Sequence, residues 1–175
     1  MYIEELLSQK INLQQIKSVV SWAYGSGDNL NMIWGFVRSD DRRTSVNALW
    51  VMTHLPETDA EWLLSLRDEM IDILLTETDT GKKRMLLHLL REQEYAVGDI
   101  RTDFLDYCMS KINSECESYA VRGYCIYAAY KMSRHFPELL SELEEHLDMM
   151  QYQPLSPGLK SALRQTKSKI SKLKI

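Results

Sequence analysis

Asp41-Arg42-Arg43, Thr80-Gly81-Lys82-Lys83, Ala120-Val121-Arg122 and Gly158-Leu159-Lys160 can be laid over one another along a single chain. In that alignment a basic residue recurs at Arg43, Lys83, Arg122 and Lys160, in steps of 40, 39 and 38. Three positions after each comes a column of Val46, Leu86, Cys125 and Leu163. Three further on comes Leu49, Leu89, Ala128 and Thr166. Apolar residues at this spacing lie on one face of a helix. A period of about 39 residues with two helices per unit describes an α-solenoid, because one helix pair cannot cover its own apolar face without a neighbour.

The helices themselves follow from apolar residues at three and four spacing bounded by breakers. Leu13, Ile16, Val19, Val20, Ala23 and Tyr24 define a helix near 12–24, stopped by Gly25-Ser26-Gly27-Asp28-Asn29. Further helices are expected near 28–38, 41–55, 60–77, 81–93, 100–113, 117–136, 138–150 and 157–173, nine in all. Composition agrees: 24 Leu against 7 Val leaves few β-branched strand formers, so the chain is expected to be all-α. A length of 175 residues with only 4 Pro and 7 Gly suits a single globular domain and excludes disordered and collagenous classes.

Two segments resemble the second helix of HEAT repeats. They are Asp40-Asp41-Arg42-Arg43-Thr44-Ser45-Val46-Asn47-Ala48-Leu49 and Glu117-Ser118-Tyr119-Ala120-Val121-Arg122-Gly123-Tyr124-Cys125-Ile126. Each passes from an acidic turn to a basic residue and then to small or aliphatic positions. The second unit departs with Lys82-Lys83-Arg84, the fourth has Ser156-Pro157-Gly158 in place of an acidic turn, and the first-helix proline of the family is missing. The resemblance implies a right-handed, armadillo-like α-solenoid of about four HEAT-like helix pairs plus an amino-terminal helix. The chain then divides into a helical cap at 1–27 and repeats at 28–55, 60–93, 100–136 and 138–173, forming one domain over 1–175. A plain helical bundle is the alternative arrangement of the same helices.

Charge is distributed unevenly between the two helix classes. The second-helix windows 41–55, 81–93, 117–136 and 157–173 contain 14 Lys or Arg and 3 acids. The first-helix windows 28–38, 60–77, 100–113 and 138–150 contain 13 acids and 4 Lys or Arg, so the net charge of −4 conceals two oppositely charged sets. HEAT-like stacks line their concave side with second helices, which implies a basic groove for an acidic or phosphorylated protein segment, or for a nucleic acid backbone. The competing account is internal pairing between first and second helices, whose exposed pairs contribute only about 0.2–1 kcal/mol each.

Projecting 117–136 at about 100 degrees per residue puts Val121, Tyr124, Cys125, Ala128 and Met132 on one side, and Tyr119, Tyr127, Tyr130 and Arg134 toward the other. Aromatics beside arginine typify binding hot spots. Arg91 holds the repeat position equivalent to Tyr130. The expected contact residues are therefore Arg43, Arg91, Arg122, Tyr127, Tyr130, Arg134, Lys160 and Arg164. Leu159–Ile175 carries only basic charges and is expected to cap the stack rather than bind a membrane. A short stack exposes apolar ends that a second copy can cover, which leaves homodimerisation open.

No constellation in the sequence requires a reaction. His54, His88, His135 and His146 show no metal-ligand spacing, no glycine-rich phosphate loop occurs, and Cys125 falls on the inferred core face. No catalytic residue, metal or cofactor is expected. Three cysteines without a CxxC pair, no signal-peptide pattern at Met1–Glu5 and no long apolar run point to the cytoplasm. The chain is thus expected to be a non-catalytic interaction or scaffold module. The alternative is a DNA-binding protein related to the HEAT-like alkylation-repair DNA glycosylases, whose basic groove holds Trp and Asp. Arg42, Arg43 and Trp50 carry that reading here, although no groove-facing Trp beside an Asp follows later in the chain.

Overall fold

Eleven α-helices and no strand occur among residues 2–175, which the computed structural model describes. They are α1 (Ile3–Leu7), α2 (Leu13–Ala23), α3 (Gly27–Val37), α4 (Arg42–Met52), α5 (Ala60–Ser65), α6 (Arg67–Thr76), α7 (Thr80–Arg91), α8 (Thr102–Ile112), α9 (Tyr119–Ser133), α10 (Pro137–Met150) and α11 (Pro157–Leu173). Cα packing separates two compact units, Met1–Leu89 and Leu90–Ile175, with the division inside α7.

In the first unit α3 packs on α4, and α2 lies against both. Leu7, Ile16, Val19, Ile33, Leu49 and Met52 form its interior, each removed almost completely from water. Burying a side chain of this class contributes about 1.5–3 kcal/mol. Two elements depart from the nine expected helices. Helix α1 is a single turn that precedes α2 and packs on α4. Its Ile3 and Leu7 are buried, and Asn47 Nδ2 donates to the carbonyls of Leu7 (2.8 Å) and Gln9 (3.0 Å). One turn is too short to show a period. The helix expected over 60–77 breaks at Leu66, whose N–H donates to Leu63 O at 3.1 Å, a tighter 3₁₀-type bond, before Arg67 resumes the α-helix. Between α2 and α3 the chain turns through Gly25 at φ 71°, a left-handed conformation favouring glycine, with its N–H donating to Asp59 Oδ1 at 3.1 Å.

In the second unit α8 packs on α9, α9 on α11, and α10 against α8, α9 and α11. The pairs α8/α9 and α10/α11 therefore stack, enclosing Phe104, Cys108, Ile112, Cys125, Leu143, Leu147 and Ile170. A buried Tyr95 closes the segment before α8 by donating its hydroxyl to Leu90 O at 2.7 Å, while its own carbonyl lies 2.8 Å from His135 Nε2.

Helix starts reveal the repeat more clearly than the basic residues do. Asp41 accepts from Thr44 N (2.7 Å), Asp79 from Lys82 N (2.9 Å), Ser118 from Val121 N (3.3 Å) and Ser156 from Leu159 N (3.2 Å). These are N-caps of the four second helices α4, α7, α9 and α11. Counting from them moves the first unit by two positions relative to the sequence alignment: Ser45, not Arg43, is the equivalent of Lys83, Arg122 and Lys160. Likewise Ala48 joins Leu86, Cys125 and Leu163, and Val51 joins Leu89, Ala128 and Thr166. Ala48, Leu49 and Val51 are all fully buried and Val46 is half-buried, so the caps rather than burial select the register.

Candidate interaction site

In two of the four units the residue four positions after the cap ties its helix to the end of the one before it. Ser45 Oγ donates to the carbonyl of Val37 at the end of α3 (2.6 Å), and Arg122 Nε donates to the carbonyl of Ile112 at the end of α8 (2.7 Å). Each bond satisfies a carbonyl that has no partner within its own helix. Arg122 is only 4% exposed. Its other guanidinium nitrogen donates to Gln153 Oε1 (2.7 Å), Gln153 Nε2 donates to Asn113 Oδ1 (3.0 Å), and Asn113 Nδ2 donates to His146 O (2.9 Å). The expectation that Arg122 offers its charge to a partner is corrected on this point: the side chain is an internal tie.

A cavity of about 430 Å³ opens in the second unit between α9, the first turns of α11 and the end of α7. Tyr119, Tyr124 and Tyr127 recur along one side of α9 and line it, with Gly158 and Ser161 opposite. Arg91 forms part of the wall, its guanidinium 4.9 Å from the ring centres of both Tyr124 and Tyr127. A cation over a ring in this way contributes about 0.5–1 kcal/mol per pair at an exposed site. Glu92 approaches Arg91 Nε at 3.0 Å. Tyr127, assigned to the side of the helix opposite the core, is half-buried and lines the cavity. Tyr124 was assigned to the core side, yet it is half-buried and shares Arg91 with Tyr127. Positions three apart on a helix diverge by only about 60 degrees, so both rings reach the same cation.

The remaining expected residues do not converge on this cavity. Tyr130 lies beneath the ammonium of Lys169 at 5.5 Å. Arg134 pairs with Glu94 (3.1 Å), as does Lys131 (3.2 Å). Lys160 and Arg164 are exposed on α11 and form no ion pair among the described residues, whereas Lys167 pairs with Asp148 at 2.5 Å. Arg43 is exposed on α4 in the first unit, next to Arg42, which pairs with Asp79. Internal ion pairs therefore take up several second-helix cations.

The thiols are not placed for nucleophilic chemistry within the core. Cys108 and Cys125 are fully buried, and desolvation, followed by the hydrogen bond between them, pushes the Cys108 thiol well above its ordinary range. Burial likewise pushes the Tyr107 hydroxyl up. Among the described residues no cluster of His, Cys, Asp or Glu is arranged to hold a metal, and no helix is long and apolar enough to cross a membrane.

A family model described as a HEAT repeat domain matches residues 3–170. None of the curated proteins and none of the solved structures gives a significant match.

Proposed function

The chain belongs to the HEAT repeat domain family, and from that premise we propose that it is a non-catalytic interaction module whose second unit takes an acidic or phosphorylated protein segment. The observation that carries this reading is Arg91, held against Tyr124 and Tyr127 in the wall of the α9–α11 cavity. A guanidinium drawn to two rings keeps N–H groups beyond Nε for bidentate bonds to a carboxylate or phosphate. Lys160 and Arg164 lie exposed on α11, whose residues 157–173 contain no acid, and they extend the positive field beyond Arg91. The tyrosines add apolar area at low conformational cost. We place the protein in the cytoplasm on its cysteine usage.

Fluorescence anisotropy with a labelled glutamate-rich peptide and a labelled phosphoserine peptide tests the proposal. Arg91→Glu and the double substitution Lys160→Glu/Arg164→Glu should each weaken binding by about tenfold or more at low salt, with the circular dichroism unchanged. Equal affinity for wild type and both variants would reject the cavity. Duplex DNA bound in preference to both peptides, with the loss of that binding in Trp50→Ala, would favour the nucleic-acid alternative instead.

A further inference from the structure

The first unit holds a second cavity of opposite chemistry. It measures about 600 Å³ and lies among α1, α2, α3 and the start of α4. Its aromatic lining comes from Tyr2, Trp22 and Phe36, and its carboxylates from Glu4, Glu5 and Asp41, while the described lining includes no Lys, Arg or His. Trp22 and Phe36 are half-buried on helices whose neighbouring residues Val19, Ala23, Ile33 and Val37 are core, so both rings are fixed from behind. Asn29 Nδ2 donates to Trp22 O at 2.9 Å and ties the end of α2 to α3. Tyr2, 85% exposed, stands at the rim.

Asp41 brings one of its two oxygens ready for a ligand. The amide and hydroxyl of Thr44 both donate to Oδ2 at 2.7 Å, and Oδ1 has no hydrogen bond among the described residues. The hydroxyl bond from Thr44, then its amide bond, hold the Asp41 carboxyl below its ordinary value and keep it ionised at neutral pH.

We propose that this cavity binds a basic protein segment, receiving its lysine or arginine side chains between the aromatic rings and the carboxylates. Such side chains have apolar stems and charged heads, which match rings within and acids at the edge. Rings attract a cation through their negative faces, tryptophan most strongly. An acidic segment would meet three like charges. An apolar one would strip water from three carboxylates without compensation, an unfavourable exchange. The acids come from separate elements, two on α1 and one at the cap of α4, and the volume suits a ligand larger than one small cation. Both points favour a segment with at least two basic side chains over a free ammonium compound.

The test uses the full chain, ¹⁵N-labelled, titrated at low salt with an acetylated and amidated Lys-Arg-Gly-Lys-Arg peptide. Saturable shifts of the Trp22 indole and Phe36 amide signals are expected. The exposed double substitution Glu4→Gln/Glu5→Gln should reduce affinity by about tenfold without altering the rest of the spectrum. The proposal is overturned if the variant binds as tightly as the wild type, or if the shifts map elsewhere. It is overturned equally if tetramethylammonium matches the peptide's affinity, which would make the ligand a small cation. Shifts of the same signals with protein concentration alone, absent peptide, would assign the cavity to a second copy of this chain and also overturn it.

Discussion

The second helices of the first unit start from carboxylates, Asp41 and Asp79, whereas those of the second unit start from hydroxyls, Ser118 and Ser156. The same contrast recurs at the next level. The first unit ties α4 to the end of α3 through the small hydroxyl of Ser45, and the second ties α9 to the end of α8 through the long charged side chain of Arg122. One repeat geometry is thus built from different chemistry in each half. All four second helices have a side-chain acceptor at the cap, and in α4 and α9 a donor follows four residues later, without a particular residue type at either place.

The largest test of this comparison is Arg122→Met, which leaves the buried Ile112 carbonyl and Gln153 without their donor. We expect a loss of about 3 kcal/mol, read from urea unfolding, because removing a charged donor strands its acceptors. Ser45→Ala removes a single neutral bond and should cost about 1–2 kcal/mol. Equal losses would refute the contrast between the two ties, and a neutral Arg122→Met would refute the role of Arg122 as a tie.

Acid should separate the halves by a smaller amount. The bond from Arg42 is the main cause that holds the Asp79 carboxyl below its ordinary value of 3.8, and the Thr44 hydroxyl does the same for Asp41. A depressed carboxyl stabilises the folded state above the unfolded value, and that contribution is lost as pH falls below 3.8 through the lowered folded value. Amide protection in α4 and α7 should therefore weaken on acidification before that in α9 and α11. Asp79→Ser should flatten the dependence. Since Asp79 is only half-buried and its partner Arg42 is exposed, its share is at most about 1 kcal/mol. The second unit has a depressed carboxyl of its own, Asp103, but that group bonds with Arg101 beside the start of α8, not at the start of a second helix. The smallest expected effect is at Arg43. Exposed and outside the corrected column, it should tolerate Arg43→Ala within about 0.5 kcal/mol.

Most of the helical organisation was legible because Gly25-Ser26-Gly27 and Ser39-Asp40-Asp41 punctuate an apolar periodicity that survives in every unit. The register of the first unit was not, since Ser39 and Asp41 are both cap-forming residues two positions apart and Arg43 stands four after the first of them; only the cap bond to Thr44 N selects Asp41. The break at Leu66 carries no proline or glycine to announce it. At the candidate site, Arg91 was named from its repeat equivalence with Tyr130, and Tyr127 from the helical projection of 117–136. The burial of Arg122 was hidden because it depends on a carbonyl ten residues upstream and an amide side chain thirty-one residues downstream. Pairing of Lys131 and Arg134 with Glu94 was equally invisible, as Glu94 falls outside every window used to count charge.

All four tryptophans, at positions 22, 34, 50 and 62, lie in the first unit, and all three cysteines, at 108, 116 and 125, lie in the second. Cys116 is exposed in the turn before α9, while the other two thiols are sealed in the interior. Each half therefore carries a native reporter that the other lacks. Indole emission follows the first, and the delayed uptake of a second and third thiol reagent clocks the opening of the second. Comparing the two signals in one denaturation experiment would show whether the halves melt as one cooperative body or in turn, without adding a single foreign probe.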